Sequence, residues 1–419
     1  MSTLTELFVP AFVTICCILV SLLLLIYKCK SRKSHKTFLL FIDGPDPDNP
    51  ACALALWNHL VASQVLSPHL HIILTGRPVD LKTKKQVKSD IPIKEQIPRQ
   101  DWEQTNAVHA RKLLSDSAAR INNYLISCGL SSSSFTIYNG GIALYAPISD
   151  VAHDWEFLYD RTDLITGVSS DAGTIISVEE YASLIQKYNS LTDDDRGTTL
   201  MSLLRNYEMV PLSQLRVTLK QTQHTELSVF LGGPATAVVR LFEGDQNNSL
   251  RTKVVELFAM FGALMPEKST LLGNQFNAAC DMESAAQLFM EKMFPNVPMY
   301  IIPTETAKLP ELIVSAGELE SRGAHSYAVS LIKLWESTHN DCPQPIFDVL
   351  PVMAAVPEFK KAFIWRKKKV VIQEWIKDGE VRQKFIFTDT DHGLIYVSDG
   401  TFNLSKECFL QFLDSCFRA

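Results

Sequence analysis

The amino-acid sequence predicts an α/β fold with an open, mostly parallel sheet and flanking helices, preceded by one transmembrane helix. Two observations predict the sheet: short runs rich in β-branched and aromatic residues recur along the chain, and longer amphipathic runs separate them. Helices between successive strands imply right-handed crossovers and parallel pairing. A third observation predicts the membrane segment, because Phe8–Tyr27 is a run of twenty residues without a charge. That length allows a helix to cross about 30 Å of hydrocarbon.

The flanks of this apolar segment are those of a membrane anchor rather than a cleaved signal peptide. A signal peptide carries its basic residues before a shorter apolar core. Here Glu6 comes before the segment, and the basic residues that follow it are Lys28, Lys30, Arg32, Lys33 and Lys36. We therefore expect a transmembrane helix over 8–27, a basic linker over 28–36 and one large domain over 37–419. The positive-inside rule places the large domain of this single-pass membrane protein in the cytosol.

The composition is that of a globular protein with a large core. The 419 residues are 46% hydrophobic and 21% charged, and the formal net charge is −6. Because acidic residues outnumber basic ones and no long basic face is present in the sequence, the composition argues against a nucleic-acid partner. The nine cysteines include no C-x-x-C pair, which predicts reduced and mostly buried thiols.

The large domain alternates β-like and helical patterns. The predicted strands are Thr37–Ile42, His71–Thr75, Phe135–Tyr138, Leu227–Leu231, Val254–Ala259 and Met299–Pro303. The predicted helices include Asn49–Ala62, Gln104–Ser127, Val178–Tyr188, Ala235–Leu241, Glu283–Met293 and Pro310–Trp335. The stretch Ala362–Ser398 is rich in short β-like runs and predicts an added meander, followed by a final helix from Ser405.

The run Phe38–Leu56, FLLFIDGPDPDNPACALAL, carries the strongest functional signal. A strand of buried type ends in Asp43, Asp46 and Asp48, and apolar residues then resume at helical spacing. Ligands bind at the carboxyl ends of strands in open α/β sheets. Carboxylates crowded at that edge repel one another unless a hard cation neutralises them. The run therefore indicates a metal site, and an acidic turn with an N-cap aspartate is the alternative interpretation.

Three later segments accompany the aspartate run. They are FLGGPATAVVRLF at 230–242, LLGNQFNAACDMESAAQLF at 271–289 and PIFDVLPVMAA at 345–355. In this order the four segments resemble the inosine–uridine-preferring nucleoside hydrolase family, whose motifs are D-x-D-x-G-x-D-D-A-x-A, T-G-P-L-T-N, E-F-N-x-x-x-D-P-E-A-A and H-D-x-x-A. The resemblance spans residues 37–353. It implies a divergent, membrane-anchored member with an open, mostly parallel sheet and a Rossmann-like core.

The resemblance implies a calcium ion at the strand ends. Its ligands would be the carboxylates of Asp43, Asp48 and Asp348 and the backbone carbonyl of Gly232. Three carboxylates and one carbonyl, completed by water and substrate hydroxyls, meet the oxygen count that Ca²⁺ requires. For Asp348 the alternative is the N-cap of the helix VLPVMAA that follows it.

The same resemblance implies hydrolysis of the N-glycosidic bond of ribonucleosides. Asp43 would be the general base that takes a proton from a calcium-bound water. Asn277 would hydrogen-bond the ribose, and Gln275, which stands in place of the family's glutamate, would bind its 5′ hydroxyl. Asp281 is expected to cap the helix that follows it rather than to touch substrate.

Several positions depart from the family motifs, and they concern sugar and base more than metal. The ribose-binding aspartate of the D-D pair is replaced by Pro47, and Asp46 would substitute for it from one residue away. The late histidine is replaced by Phe347, which has no proton to donate. The segment LTGRPVD lacks the family's ribose-binding asparagine. His153 would match a further family histidine, and a surface histidine is the alternative.

Two functions follow from this pattern. The first is a membrane-anchored N-ribosyl hydrolase that acts on a purine or pyrimidine nucleoside or another small ribosyl compound. The second is a non-catalytic binding or scaffold protein that keeps the fold and the metal, because each missing transition-state group costs about a hundredfold in rate. The resemblance also implies a homo-oligomer, although no sequence pattern identifies an interface.

Overall fold

The computed structural model describes most of the large domain. The described residues are 35–43, 48–62, 68–76, 107–143, 208–222, 225–243, 245, 247–266, 275–290, 293–325, 329, 332–333, 336, 342–377 and 380–417. The predicted transmembrane helix over 8–27 therefore lies outside the described residues, and the domain boundaries stay predictions. Within the described ranges, no helix has the length and apolar character needed to span a bilayer.

Twelve strands are present in the described residues. They are β1 His35–Asp43, β2 Leu70–Gly76, β3 Phe135–Ile142, β4 Val210–Pro211, β5 Thr225–Leu231, β6 Val254–Met260, β7 Met299–Ile302, β8 Ile313–Val314, β9 Gln344–Pro345, β10 Phe363–Lys377, β11 Glu380–Asp389 and β12 Ile395–Phe402. Ten of them form one sheet in the order β11-β10-β12-β7-β6-β5-β1-β2-β3-β4, and β8 and β9 form a separate antiparallel pair. Every neighbouring pair from β12 to β4 is parallel, whereas β10 is antiparallel to β11 and β12.

Helices cover both faces of this sheet. They are α1 Asn49–Leu56, α2 Ala107–Ser127, α3 Leu212–Gln221, α4 Thr236–Glu243, α5 Phe276–Cys280, α6 Met282–Phe289, α7 Thr304–Ala307, α8 Ala316–Ser321, α9 Val349–Ala355, α10 Pro357–Lys360 and α11 Lys406–Phe417. A π-helical turn, Trp57–Val61, directly follows α1, and 3₁₀ turns occupy Arg251–Lys253 and Pro310–Leu312.

The central strand β1 shows how the two layers of core form. Because side chains alternate along a strand, Phe38, Leu40 and Ile42 pack with α1, α2, α9 and α11. Leu39 and Phe41 point to the opposite face and pack with α3, α4 and α6. All five side chains are at most 3% exposed. Burial on both faces is typical of a parallel sheet between two helical layers.

The predicted fold class is confirmed for the sheet and its helices. All six predicted strands are present, with bounds that differ by two residues or less except at β3, which continues to Ile142. The predicted meander corresponds to β10, β11 and β12, and the final helix begins at Lys406. The predicted helix Val178–Tyr188 and the start of Gln104–Ser127 lie outside the described residues.

The single long helix predicted over Pro310–Trp335 is wrong. Its first part is the 3₁₀ turn, β8 and the short helix α8. Ser315 interrupts the helical pattern, because its hydroxyl accepts from the Glu318 backbone N–H while the Glu318 carboxylate accepts from the Ser315 backbone N–H. The sequence reasoning also missed α3, whose buried residues Leu212, Leu215 and Leu219 have helical spacing.

The C-terminal hairpin of β10 and β11 forms one edge of the sheet and extends past the end of β12. Strand β10 has 15 residues, but only Phe363–Lys368 pairs with β12, and the rest pairs with β11 alone. The β11 residue Phe387 lies against Gly262, where a Cβ atom would be 2.7 Å from its ring. Gly262 has a φ of +74° and follows β6. The hairpin therefore folds back over the carboxyl end of β6.

A buried histidine links β2 to β3. His71 is 7% exposed, and its Nδ1 lies 3.1 Å from the Tyr138 hydroxyl. Burial lowers the pKa of His71 from 6.5 to about 3, and the neighbouring His69 adds to the effect. The imidazole of the folded protein is therefore neutral at physiological pH.

Acidification is expected to destabilise the protein through His71. Its folded pKa lies below its unfolded pKa, so its contribution is complete above pH 6.5 and is lost as the pH falls toward 3. Between pH 7.5 and 4.5 this loss amounts to about 2 to 3 kcal/mol of unfolding free energy. Urea unfolding across this range checks it: His71→Leu should flatten the profile, and the exposed control His392→Gln should not. Parallel profiles for the wild type and His71→Leu would contradict it.

Candidate functional site

The candidate site lies where the strand order of the sheet reverses. From β1 the chain adds β2, β3 and β4 on one side, and it then returns to place β5, β6 and β7 on the other side. Asp43 is the last residue of β1, and Gly232 and Gly233 directly follow β5. The carboxyl ends of β1 and β5 therefore form the topological switch point, which is where ligands bind in open α/β sheets.

Three predicted ligands are buried at this point. Asp43, Asp48 and Asp348 are 0%, 1% and 3% exposed. The backbone N–H of Asp348 donates to Asp48 Oδ2 at 2.9 Å, although 300 residues separate them in the chain. The thiol of Cys52 donates to the backbone carbonyl of Asp348 at 2.8 Å. The start of α9 is thus held against α1.

Helix capping does not account for the carboxylates of Asp48 and Asp348. Each residue stands at the N-cap position, of α1 and of α9, and each has helical backbone angles. Neither side chain accepts a hydrogen bond from the first turn of its helix. Both aspartates therefore occupy the N-cap position that the alternative interpretation expected, without a side-chain hydrogen bond to the helix.

Two glycines allow β1 and α9 to approach the end of β5. A Cβ atom on Gly232 would lie 2.7 to 2.9 Å from the carboxylate atoms of Asp348. A Cβ atom on Gly233 would lie 2.7 Å from the backbone nitrogen of Asp43. Any other residue would push one aspartate away, because such distances are below van der Waals contact. Asp43 and Asp348 therefore lie against two consecutive glycines, Gly233 and Gly232, in the turn after β5.

Residues of α1 support the aspartates from the other side. The side-chain amide of Asn49 donates to the backbone carbonyl of Asp43. Burial raises the pKa of the Cys52 thiol, and the negative charges of Asp348 and Asp48 raise it further. Cys52 therefore stays a neutral thiol and serves as a hydrogen-bond donor. The sequence reasoning missed both residues, because it assigned this stretch only to a helix start.

Asn277 and Gln275, which were predicted to bind the sugar, contact backbone groups in the structure. Asn277 Nδ2 donates to the carbonyls of Gly232 at 3.2 Å and Met260 at 3.1 Å. Gln275 Oε1 accepts from the backbone N–H of Gly262 at 3.2 Å and caps α5. Both side chains thus tie the ends of β5 and β6 together. Their predicted contacts with ribose stay predictions.

Asp281 caps α6 as predicted. Its carboxylate accepts from the backbone N–H of Ser284 at 3.0 Å and from the Thr236 hydroxyl at 2.6 Å. Because Thr236 begins α4, this buried carboxylate joins two helices of the same layer. Asp281 is therefore a structural residue that anchors the segment carrying Asn277.

The donor set at the switch point suits a hard cation in its chemistry. It consists of three buried carboxylates and the carbonyl of Gly232, which accepts from Asn277 and has a second lone pair. Over the described ranges, no group of three His, Cys, Asp or Glu side chains forms a metal site by itself. Asp46 and His153, the other predicted site residues, lie outside those ranges. Calcium binding therefore stays a prediction.

Phe347 occupies the position of the family's late histidine. Its side chain is partly buried and packs against the core beside Asp348. An aromatic hydrocarbon there contributes apolar surface and no titratable group. The structure thus places next to a predicted ligand a side chain that cannot protonate a leaving group.

Comparisons with known proteins identify the fold. No protein-family model and no curated protein matches the chain. The solved inosine-guanosine nucleoside hydrolase is 12% identical, with a TM-score of 0.54 over 91% of this chain and 100% of that one. Effector protein XOO4466 is 13% identical, with a TM-score of 0.51 over 92% and 93% of the two chains. Type III effector protein XopQ, solved with adenosine diphosphate ribose, is 12% identical, with a TM-score of 0.50 over 92% and 94%.

The chain therefore has the nucleoside hydrolase fold. This confirms, at the level of the fold, the family resemblance that the four sequence segments predicted. The relatives with this fold include a hydrolase of nucleosides and effector proteins.

Substitution of Gly232 is expected to disrupt the site. In Gly232→Ala the new methyl group overlaps the Asp348 carboxylate, so we expect a loss of about 1 to 3 kcal/mol of unfolding free energy. Gly317→Ala is the matched control, because the nearest atom to its Cβ is 4.0 Å away. The control should be neutral or slightly stabilising. Equal unfolding midpoints for the two variants in urea would refute the close approach of Gly232 and Asp348.

Proposed function

We propose that the chain is a membrane-anchored, calcium-dependent hydrolase that cleaves the N-glycosidic bond of ribosyl compounds. The observation that carries this proposal is the burial of Asp43, Asp48 and Asp348 at the switch point of a nucleoside hydrolase fold, where their chain segments are in contact. Burying carboxylates costs free energy unless a partner or a cation offsets it. Their concentration at a ligand-binding edge therefore supports a role in chemistry.

Asp43 acts as the general base in this proposal. Cleavage passes through a ribosyl cation of oxocarbenium character, which an activated water attacks. A calcium ion held by Asp43, Asp48, Asp348 and the Gly232 carbonyl would supply positive charge that favours deprotonation of water. Asp43 accepts the proton. The side-chain amide of Asn49 donates a hydrogen bond to the backbone carbonyl of Asp43 and so holds that residue in place.

Because Phe347 cannot donate a proton, no protonation of the leaving base comes from this position. We therefore propose substrates whose base departs readily, or whose base is protonated by a residue outside the described ranges, such as His153. XopQ was solved with adenosine diphosphate ribose. We accordingly include this compound, as well as purine and pyrimidine nucleosides, among the candidate ligands.

The membrane anchor belongs to the same proposal. The uncharged run Phe8–Tyr27 and the basic residues after it support a single-pass protein with a cytosolic large domain. Flotation of the full chain with lipid vesicles, compared with a chain that starts at His35, tests this part. The homo-oligomer stays a prediction of the family resemblance.

A non-catalytic binding or scaffold protein is the second candidate. It is favoured by Phe347 in place of the family's histidine, Pro47 in place of an aspartate, and the use of the Asn277 amide on backbone carbonyls. In this case the fold and the metal are kept, whereas the sugar pocket and turnover are absent.

Turnover is expected to depend on calcium and on Asp43. The full chain in detergent should release the free base from at least one member of a panel of inosine, guanosine, adenosine, uridine and adenosine diphosphate ribose, and EDTA should abolish it. Asp43→Asn should lower kcat by about a hundredfold or more, because the base is removed. Asp389→Asn, whose side chain is 90% exposed on β11, is the control and should retain full turnover. Chromatography of the released base measures both, and absence of release from the whole panel favours the second candidate.

Calcium is expected to stabilise the folded chain under both candidates. At a concentration a hundredfold above Kd, a ligand adds about 2.7 kcal/mol to the unfolding free energy. Asp348→Asn should lose this gain, and Asp389→Asn should keep it. Ribose should add a second upward shift of Tm only if the sugar pocket persists. No calcium shift in the wild type would overturn the metal site itself.

A further inference from the structure

Two buried polar atoms beside Asp43 have no hydrogen bond to the described part of the chain. Asn49 and Thr75 are 1% and 0% exposed. The atoms are Asn49 Oδ1 and Thr75 Oγ1, which have no partner among the described residues. Buried polar atoms in native proteins are nearly always hydrogen-bonded to protein, water or ligand. Such a pair at a candidate site therefore points to a bound group that supplies the missing bonds.

Both residues flank Asp43. Thr75 is the partner of Asp43 in the pairing of β1 with β2, so the two side chains emerge on the same face of the sheet. Asn49 directly follows Asp48, and its amide donates to the carbonyl of Asp43. That hydrogen bond fixes the side chain of Asn49 with its Oδ1 still available. Both residues are therefore immediate neighbours of the proposed base.

The position of this pair in the fold differs from that of Thr225, whose hydroxyl also lacks a hydrogen-bond partner among the described residues. Thr225 Oγ1 is also buried without a hydrogen bond in the described part of the chain. Thr225 is the first residue of β5 and pairs with His35, at the opposite edge of the sheet. Thr225 therefore provides a matched comparison for Thr75: a buried threonine hydroxyl without a described partner, distant from the candidate site.

The hydrogen-bonding chemistry of Asn49 Oδ1 and Thr75 Oγ1 favours a ligand that carries hydroxyl groups. An amide oxygen only accepts hydrogen bonds, whereas a threonine hydroxyl both donates and accepts. A phosphate or carboxylate has no hydrogen to offer Asn49 Oδ1. Two neighbouring hydroxyls, as in the diol of a furanose sugar, can donate to Asn49 and exchange a hydrogen bond with Thr75.

We propose that Asn49 and Thr75 bind sugar hydroxyls and compensate for the proline that stands at position 47, where an aspartate would bind the sugar. This inference rests on the proposed function and adds the residues that recognise the sugar. It requires no hydrogen bond from Asn277 or Gln275, whose described bonds go to backbone groups and a methionine sulfur. Recognition of the sugar therefore comes from the β1–α1 and β2 side of the site.

The test compares Thr75→Val with Thr225→Val in the full chain with saturating calcium. Valine keeps the shape of threonine and removes the hydroxyl. Without sugar, both variants should unfold at the wild-type midpoint or above it, because a buried hydroxyl without a partner is removed. Calorimetric titration with D-ribose should show affinity at least tenfold weaker for Thr75→Val and unchanged for Thr225→Val.

Deoxy sugars separate a direct hydrogen bond from a structural effect. The wild type should prefer D-ribose to 2-deoxy-D-ribose and to 3-deoxy-D-ribose. Thr75→Val should abolish the preference for D-ribose over one of these deoxy sugars, and Asn49→Ala should abolish the preference for D-ribose over the other. A merely structural role would weaken all three sugars equally and overturn the inference.

The remaining outcomes are distinct. Equal ribose affinity in the wild type and Thr75→Val overturns this inference and leaves the proposed function standing. Loss of the calcium-induced Tm shift in Thr75→Val makes the hydroxyl a metal ligand, which also overturns it. No binding of ribose by the wild type overturns this inference, whereas the proposed function is decided separately by turnover of the nucleoside panel.

Discussion

The close approach of three chain segments at Gly232 and Gly233 is the constraint on which the candidate site depends. The end of β1 lies against one glycine and the carboxylate of Asp348 against the other. Parallel pairing of β1 with β5 sets the separation of the two strands, and the absence of side chains on the glycines lets the aspartates fill the space between them. The carboxylates, the amide of Asn49 and the thiol of Cys52 are positioned around this point.

The free energy that keeps these carboxylates buried comes from α1. All eight residues of this helix are buried, and most of them are apolar. The helix packs between the sheet and α2, α9 and α11, so its burial draws Asp48 and Asn49 into the interior. The hydrogen bond from the Asp348 backbone to Asp48 then satisfies one carboxylate oxygen without neutralising it. An apolar helix thus offsets the cost of placing charge at its first turn.

The sequence was sufficient for the sheet and for the placement of Asp43 at the end of β1, because hydrophobic periodicity and strand-end aspartates are local patterns. It was not sufficient for the roles of individual side chains. Gly232 matters through the space that it leaves, which depends on Asp348, more than one hundred residues away in the chain. Asn277 was assigned to the sugar by its motif, whereas its partners in the structure are two backbone carbonyls. The long helix after Pro310 failed for a local reason, since the capping box at Ser315 begins a new helix within an apolar pattern.

The separation of 300 residues between Asp48 and Asp348 also bears on synthesis of the chain. At about 5 to 20 residues per second, the ribosome adds the second aspartate roughly 15 to 60 seconds after the first. During this interval β1 lacks its β5 neighbour at first, and α1 lacks α9 throughout. The nascent chain therefore carries an exposed apolar helix, with an aspartate at its first turn, before the site can assemble. Burial of α1 is therefore completed only after α9 and α11 have been synthesised.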